Sequence, residues 1–265
     1  MVLTEFTSHI FSLLSYTPLQ YMLRAMKAGS APAAAYADKA DDPSVCLVSE
    51  GHSMFVGGDA LSPAADEAMN FLARILLAPE RRRALEAVRI AFPHEAWKKK
   101  LAGALKDARV NEYMRCVFVH HAPGSATDAS APHIRPITED MKALGNFDMI
   151  REEVNSTLGS VEAFLNRGFG YALVLEGRVC GFCTAEYLSE KECAIGIAVE
   201  EEYRQRGYAS QMTASFLGEC ARRGLMPYWE CWKNNIPSAK TAERAGFEKL
   251  ADYPVLLAEF TALPV

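Results

Sequence analysis

The stretch Ala198–Ala209, A-V-E-E-E-Y-R-Q-R-G-Y-A, most constrains what this chain can fold into. Its apolar start, ending at Val199, reads as a strand, and the basic turn Arg204-Gln205-Arg206-Gly207 leads into a helix opened by Tyr208 and Ala209. A strand feeding a helix in this way aims backbone N–H groups and the positive end of the helix at one place, which is what holding a phosphate requires. Gly207 lets the backbone approach a ligand with no side chain in the way, and Arg204 and Arg206 add charge. Taken alone, the stretch leaves a second reading open, a solvent-exposed βα turn with ordinary arginines.

Length and charge narrow the partners. With 265 residues the chain exceeds the usual size of one domain, so two units or one large elaborated unit are expected. Half of the residues are hydrophobic and the formal net charge is -5, so the summed field repels nucleic acid and anionic membrane, and neither is expected as a partner. Seven cysteines form an odd, scattered set, which suits a reduced cytoplasmic protein better than a disulfide framework. Cys180 and Cys183 make a C-x-x-C inside the alternating run Val179–Tyr187, where an extended chain carries the two thiols to opposite faces. No second ligand pair has metal-site spacing, so no metal is expected. The first residues show no basic n-region and no cleavage site, and Pro18 interrupts their apolar stretch, so neither a signal peptide nor a membrane span is expected.

In chain order, a helical stripe over Thr4–Leu14 and a short helix over Leu19–Lys27 precede a polar loop, Gly29–Pro43. Val45–Glu50 and Met54–Gly57 form a hairpin. Ser62 caps a helix with Pro63 in its first turn and Ala65, Met69, Leu72, Ile75 and Leu76 on its buried face. Pro79–Val110 reads as helical with a break near Pro93, its basic runs Arg81–Arg83 and Lys98–Lys100 being solvated faces. Tyr113–His120 is a strand, on which His120 and the adjacent His121 would face opposite ways. The composition of His121–Pro132 is that of a linker, giving an α/β domain over 1–125, a linker at 126–132 and a second domain over 133–265. The second domain reads as three strands in a meander, the basic turn, and a β-α-β-α-β tail in which Gly224 and Gly246 stop the helices. The fold class expected is mixed α/β, with a mostly antiparallel central sheet flanked by helices.

Two motifs carry a family resemblance. Val199, Tyr203, Arg204, Gly207 and Ala209 match the R/Q-x-x-G-x-G/A signature that follows a strand in the GNAT superfamily of N-acetyltransferases. Downstream, Asn235, Ser238 and Gly246-Phe247 look like that family's N-x-x-A/S segment and its G-F helix end. The order of elements over 133–265 is also similar to the GNAT fold. The W-x-C-x-x-x-N-x-x-S form at Trp229–Ser238 resembles a bacterial branch with an extra N-terminal domain, which here reads as a degenerate GNAT-like half lacking the turn.

The resemblance implies acetyl-CoA as co-substrate and transfer of its acetyl group to a small-molecule or peptide amine, in a cytoplasmic enzyme that could form a homodimer. It implies that Arg204, Gln205, Arg206, Gly207, Tyr208 and Ala209 hold the pyrophosphate, that Ile197, Ala198 and Val199 hold the pantetheine and acetyl carbonyl, and that Asn235 and Ser238 line the cofactor. Two departures bear on mechanism. The tyrosine that many members place seven residues after the Asn is Ala242 here, and the glutamate that some place before the motif is Cys193. Tyr228 is the preferred substitute acid, ahead of Ser238 or a water; Glu230 is the substitute base, with Glu186 as alternative. A silent acyl-CoA-binding module is the competing function. A dinucleotide-dependent oxidoreductase is a third, resting on Gly168-Phe169-Gly170.

Overall fold

The computed structural model of the chain describes residues 1–78, 86–121 and 131–260. Most of the expected linker at 126–132 and the run Arg81–Arg83 lie outside the described residues. The chain forms two units, the first made of Met1–Gly29, Ala33–Arg115 and the residues from Asp252 onward, the second of Ser30–Pro32 and Cys116–Ala251. The elements of the first half are β1 (Val2–Thr4), α1 (Ser8–Leu13), α2 (Gln20–Lys27), β2 (Ala34–Ala37), β3 (Val45–Glu50), β4 (Ser53–Gly58), α3 (Pro63–Leu76), β5 (Ala87–Ala91), α4 (Glu95–Ala104) and β6 (Arg109–Val119). The second half supplies β7 (Ile134–Pro136), α5 (Asp148–Leu158), α6 (Val161–Arg167), β8 (Gly170–Leu175), β9 (Arg178–Glu186), β10 (Glu192–Val199), α7 (Tyr208–Arg223), β11 (Met226–Trp232), α8 (Ile236–Arg244) and β12 (Glu248–Glu259).

Strands of the first unit run in the order β1-β2-β3-β4-β5-β12, antiparallel except for the parallel pair β4–β5. Its core gathers Leu47, Val56, Leu72, Ile90, Trp97 and Leu101, and the indole of Trp97 donates to the Gly58 carbonyl at 3.0 Å, so this large ring is buried with its one polar atom satisfied. Helix α3 starts as the sequence indicates: Ser62 Oγ accepts from the Ala64 N–H, with Pro63 in the first turn, and Ala65, Met69, Leu72 and Leu76 are buried. Three expectations are corrected. The helix expected over Pro79–Val110 contains β5, where buried Val88 and Ile90 alternate about a half-buried Arg89, an alternation too short to stand out between two helical patterns. The loop expected over Gly29–Pro43 contains β2, which joins the sheet through backbone pairing with β3. The two closing strands expected around Tyr253 are one strand, β12.

The second unit has the order β6-β11-β10-β9-β8-β7, antiparallel from β7 to β10 and parallel between β10 and β11. Its apolar residues divide between two clusters: α7 packs Met212 and Phe216 with Cys193, Ile195 and Trp229, and α5 and α6 pack Ile150, Val154 and Phe164 with Phe182. In β9, Gly181 pairs with Leu173 and Val179 with Val174, leaving Cys180 as an extra residue. This irregularity breaks the alternation, so Cys180 and Cys183 enter the same apolar cluster instead of facing opposite ways as expected.

Candidate active site

A fork in the second unit's sheet sets the site. Strand β10 pairs with β11 only at Glu192–Met226, Cys193–Pro227 and Ala194–Tyr228, whereas its pairing with β9 continues to Val199–Gly181. Past Ala194 the two parallel strands therefore part, and Ile195–Val199 keep a ladder on one side while the other edge faces the gap. A strand edge of this kind offers backbone N–H and C=O groups to an extended ligand. Ile197, Ala198 and Val199 lie on it and are half-buried.

The turn beyond β10 has the geometry of an anion cradle. Arg204 Nε donates to the Val199 carbonyl at 2.9 Å, tying the turn back to the strand end. Gln205 and Gly207 both adopt positive φ, +61° and +82°. The Gln211 N–H makes the bond to the Gly207 carbonyl, so the N–H groups of the turn before it have no helical acceptor. No side chain caps the helix and no acidic residue stands in its first turn, and residues 204–207 are exposed. The partial positive charge of the helix end is thus left for an external anion. The guanidinium of Arg206 lies 5.6 Å from the centre of the Tyr203 ring. Glu200, the acid at the strand end, is engaged by Arg178 at 2.8 Å and by the Asn146 amide at 3.0 Å, which limits its repulsion of an anion.

Asn235 and Ser238 are brought together at the start of α8. Asn235 Oδ1 accepts from the Ser238 N–H at 3.2 Å, which caps α8, and Ser238 Oγ accepts from the Trp229 indole at 3.0 Å, which ties α8 to β11. Ala242, where a tyrosine would stand, is fully buried in the α7-side core. Cys193 is equally buried, with its Sγ 3.8 Å from that of Cys220; this contact, together with burial, pushes its thiol well above the usual range, so it cannot serve as a base.

The other face of the fork carries the ionisable groups. Tyr228 and Glu230 both project there, opposite to Trp229 and Cys231 of the α7-side core. The Tyr228 hydroxyl donates to Glu192 Oε1 at 3.0 Å and lies 3.6 Å from Met226 Sδ, which places it toward the closed end of the fork. Glu230, two residues along, is half-buried. Glu186 faces the same side through its register with Ala194. A Cβ added at Gly196 would collide with Glu186 Oε1 and come within 3.0 Å of Glu153 Oε1. Sequence reasoning missed Glu153, although a carboxylate on the stripe of Ile150, Val154 and Thr157, all buried on α5, is a readable signal.

Two further readings meet the geometry. Gly168 ends α6 and Gly170 begins β8, so the Gly-x-Gly runs from helix to strand, the reverse of a dinucleotide fingerprint. Among the described residues no group of three or more His, Cys, Asp or Glu could hold a metal, and no helix is long and apolar enough to cross a membrane.

Comparison with known proteins shows the family. The curated N-acetyltransferase YdfB of Bacillus subtilis, itself described as uncharacterized, is 26% identical over 231 residues, covering 84% of this chain and 85% of the relative. The crystal structure of a GCN5-related N-acetyltransferase-like protein from Streptococcus suis superposes with a TM-score of 0.73 at 19% identity, covering 96% of this chain and 99% of the other. A tandem GNAT protein from the clavulanic acid biosynthesis pathway, solved without acetyl-CoA, gives a TM-score of 0.57 at 12% identity over 100% of this chain and 98% of its own. The family model described as GNAT acetyltransferase matches residues 13–256, taking in the open strand edge, the uncapped helix and the capped α8 together, and the chain belongs to that family.

Proposed function

We propose that this N-acetyltransferase moves an acetyl group from acetyl-CoA to a primary amine by direct attack. The observation that carries the reading is the parting of β10 from β11 beside an uncapped helix end, because one extended thioester with a pyrophosphate at its far end suits both. The pyrophosphate lies on the backbone of Arg204–Ala209, the pantetheine along Ile197–Val199, and Asn235 and Ser238 flank the cofactor. The neutral amine attacks the thioester carbonyl, a C–N bond forms, and the backbone N–H groups of the open edge stabilise the oxyanion. The C–S bond then breaks, Tyr228 gives its proton to the thiolate, and Glu230 takes the proton of the amine. Residues 133 onward hold this chemistry, and the N-terminal part is a degenerate GNAT-like half, a reading that the full-length likeness to a tandem protein supports. Free, buried cysteines throughout fit a cytoplasmic protein.

A second reading, a silent acyl-CoA-binding module, is favoured by the burial of Ala242 and Cys193, the family's acid and base positions. Calorimetric titration with acetyl-CoA, followed by thiol-release assays across polyamines, aminoglycosides, amino acids and peptides, separates the two. Binding with turnover on at least one amine is the expected result. Binding without turnover on any amine establishes the silent module, and no binding at millimolar acetyl-CoA overturns both.

A further inference from the structure

The β10 face opposite α7 carries a group of acceptor atoms that acetyl-CoA binding does not use. Glu186 at the end of β9 and Glu153 on α5 both bring a carboxylate oxygen to within 3.0 Å of the point a Cβ on Gly196 would occupy. Two oxygens gathered about one point can accept from a single ammonium, whose charge-assisted bonds run about 2.7–2.9 Å. Gly196 is what lets them gather, since its missing side chain leaves that position to the Glu186 carboxylate.

A third acceptor is independent of the carboxylates. Thr184 is 1% exposed and its hydroxyl has no hydrogen-bond partner. Cross-strand register places it directly beside Gly196, two residues from Glu186, so its side chain rises on the face where the two carboxylates gather. A buried hydroxyl without a partner costs about 1–3 kcal/mol, which makes it an unusual feature to find in a strand interior. On the other flank its partner on β8 is Gly170, which has no side chain to bond it. A primary ammonium has three donors and no acceptor, and three acceptor side chains converge here.

We infer that Glu153, Glu186 and Thr184 form an ammonium-binding subsite beside Gly196, which selects acceptors as protonated aliphatic amines and disfavours those with a carboxylate near the amine; the bound ammonium gives one proton to a carboxylate of the pair before the neutral amine attacks. The inference rests on the reading of β10 as the acyl-holding edge, because Gly196 adjoins Ile197 on that edge. Selectivity arises from charge: an amine arriving as a cation is attracted by two carboxylates, whereas a zwitterion of similar length brings a negative group into the same field.

The test uses n-butylamine, 1,4-diaminobutane and 4-aminobutanoate as acceptors for the full-length protein, with acetyl-CoA affinity measured in parallel by calorimetry. Wild type should show a KM at least tenfold lower for the two cationic amines than for 4-aminobutanoate. Glu153→Gln with Glu186→Gln should remove that preference, raising KM for the cationic amines at least tenfold while acetyl-CoA affinity stays within twofold of wild type. Thr184→Val guards against misfolding of the double variant. It keeps the shape and removes the unpartnered hydroxyl, so the melting temperature should hold or rise while KM for n-butylamine increases severalfold, a combination that a purely structural threonine does not produce. Unchanged KM values in the double variant, or a Thr184→Val protein that melts lower with its KM intact, overturn the subsite. Failure of wild type to bind acetyl-CoA overturns the proposed reaction instead, so the two failures are distinguishable.

Discussion

Gly207 and Gly224 close the two ends of α7 in the same left-handed conformation, with φ of +82° and +69°. Adding a Cβ meets nothing closer than 3.9 Å at Gly207 and nothing within 4 Å at Gly224, so Gly→Ala costs only backbone strain at either end. That strain is about 1–2 kcal/mol for an L-residue in this region. At about 2–4 °C per kcal/mol for chains of roughly this size, each variant should melt about 2–8 °C lower. The two should part in cofactor binding. At Gly207 the strain is relieved by a turn toward negative φ, which swings the N–H groups of the cradle away from the phosphate, whereas Gly224 lies at the far end of the helix. One charge-assisted hydrogen bond lost amounts to about 1.5–3 kcal/mol, or about 10- to 100-fold in affinity. Calorimetry should therefore show Gly207→Ala binding acetyl-CoA about 10- to 100-fold more weakly, and Gly224→Ala binding it as wild type does. S-Acetylpantetheine, which lacks the pyrophosphate, should not distinguish the variants. If Gly207→Ala retains wild-type affinity for acetyl-CoA while melting lower, the pyrophosphate does not sit on this turn.

Tyr228→Phe removes the hydroxyl that donates to Glu192 and should lower kcat by about 10²-fold, within the range for a lost general acid, with acetyl-CoA affinity unchanged; an unchanged kcat removes Tyr228 from the chemistry. In the first unit, burial pushes the Asp38 carboxyl up, but the Val45 and Ser44 N–H groups and the Ser44 hydroxyl outweigh it and hold the carboxyl below its usual range. A lowered carboxyl stabilises the fold in full above the ordinary aspartate value of about 4, and that contribution is lost as the pH falls through the lowered value. Asp38→Asn should therefore cost about 1–2 kcal/mol at pH 7 in urea unfolding, with the gap from wild type closing in acid; a gap that persists at pH 2 contradicts the assignment.

How far the sequence reveals this protein depends on the kind of signal. Ser62-Pro63, Gly207 and Gly224 are legible because a cap or a positive φ is decided by the residue and its near neighbours. The strand Ala87–Ala91 and the irregularity at Cys180 are not, since one depends on pairing with β12 and the other on which residue of β8 stands opposite. The cradle was readable as a motif, and its openness follows from the absence of any acidic residue in the first turn of α7, which is written in the chain.

The acceptor side of the site was hidden for a reason that applies beyond this chain. Glu153, Thr184, Glu186 and Gly196 come from three elements and no two are adjacent in sequence, so no window of residues contains the group. The residue that organises them is the one with no side chain. A glycine weakens a strand, yet on β10 Gly196 yields its side-chain position to the Glu186 carboxylate, beside Glu153 and an unpartnered hydroxyl. Motif positions locate a cofactor because its phosphates contact consecutive backbone groups. An acceptor amine is held by side chains that only sheet register and helix packing bring together, so its specificity is decided by residues such as Gly196 that yield their place to a neighbour, and by the neighbours that lean into it.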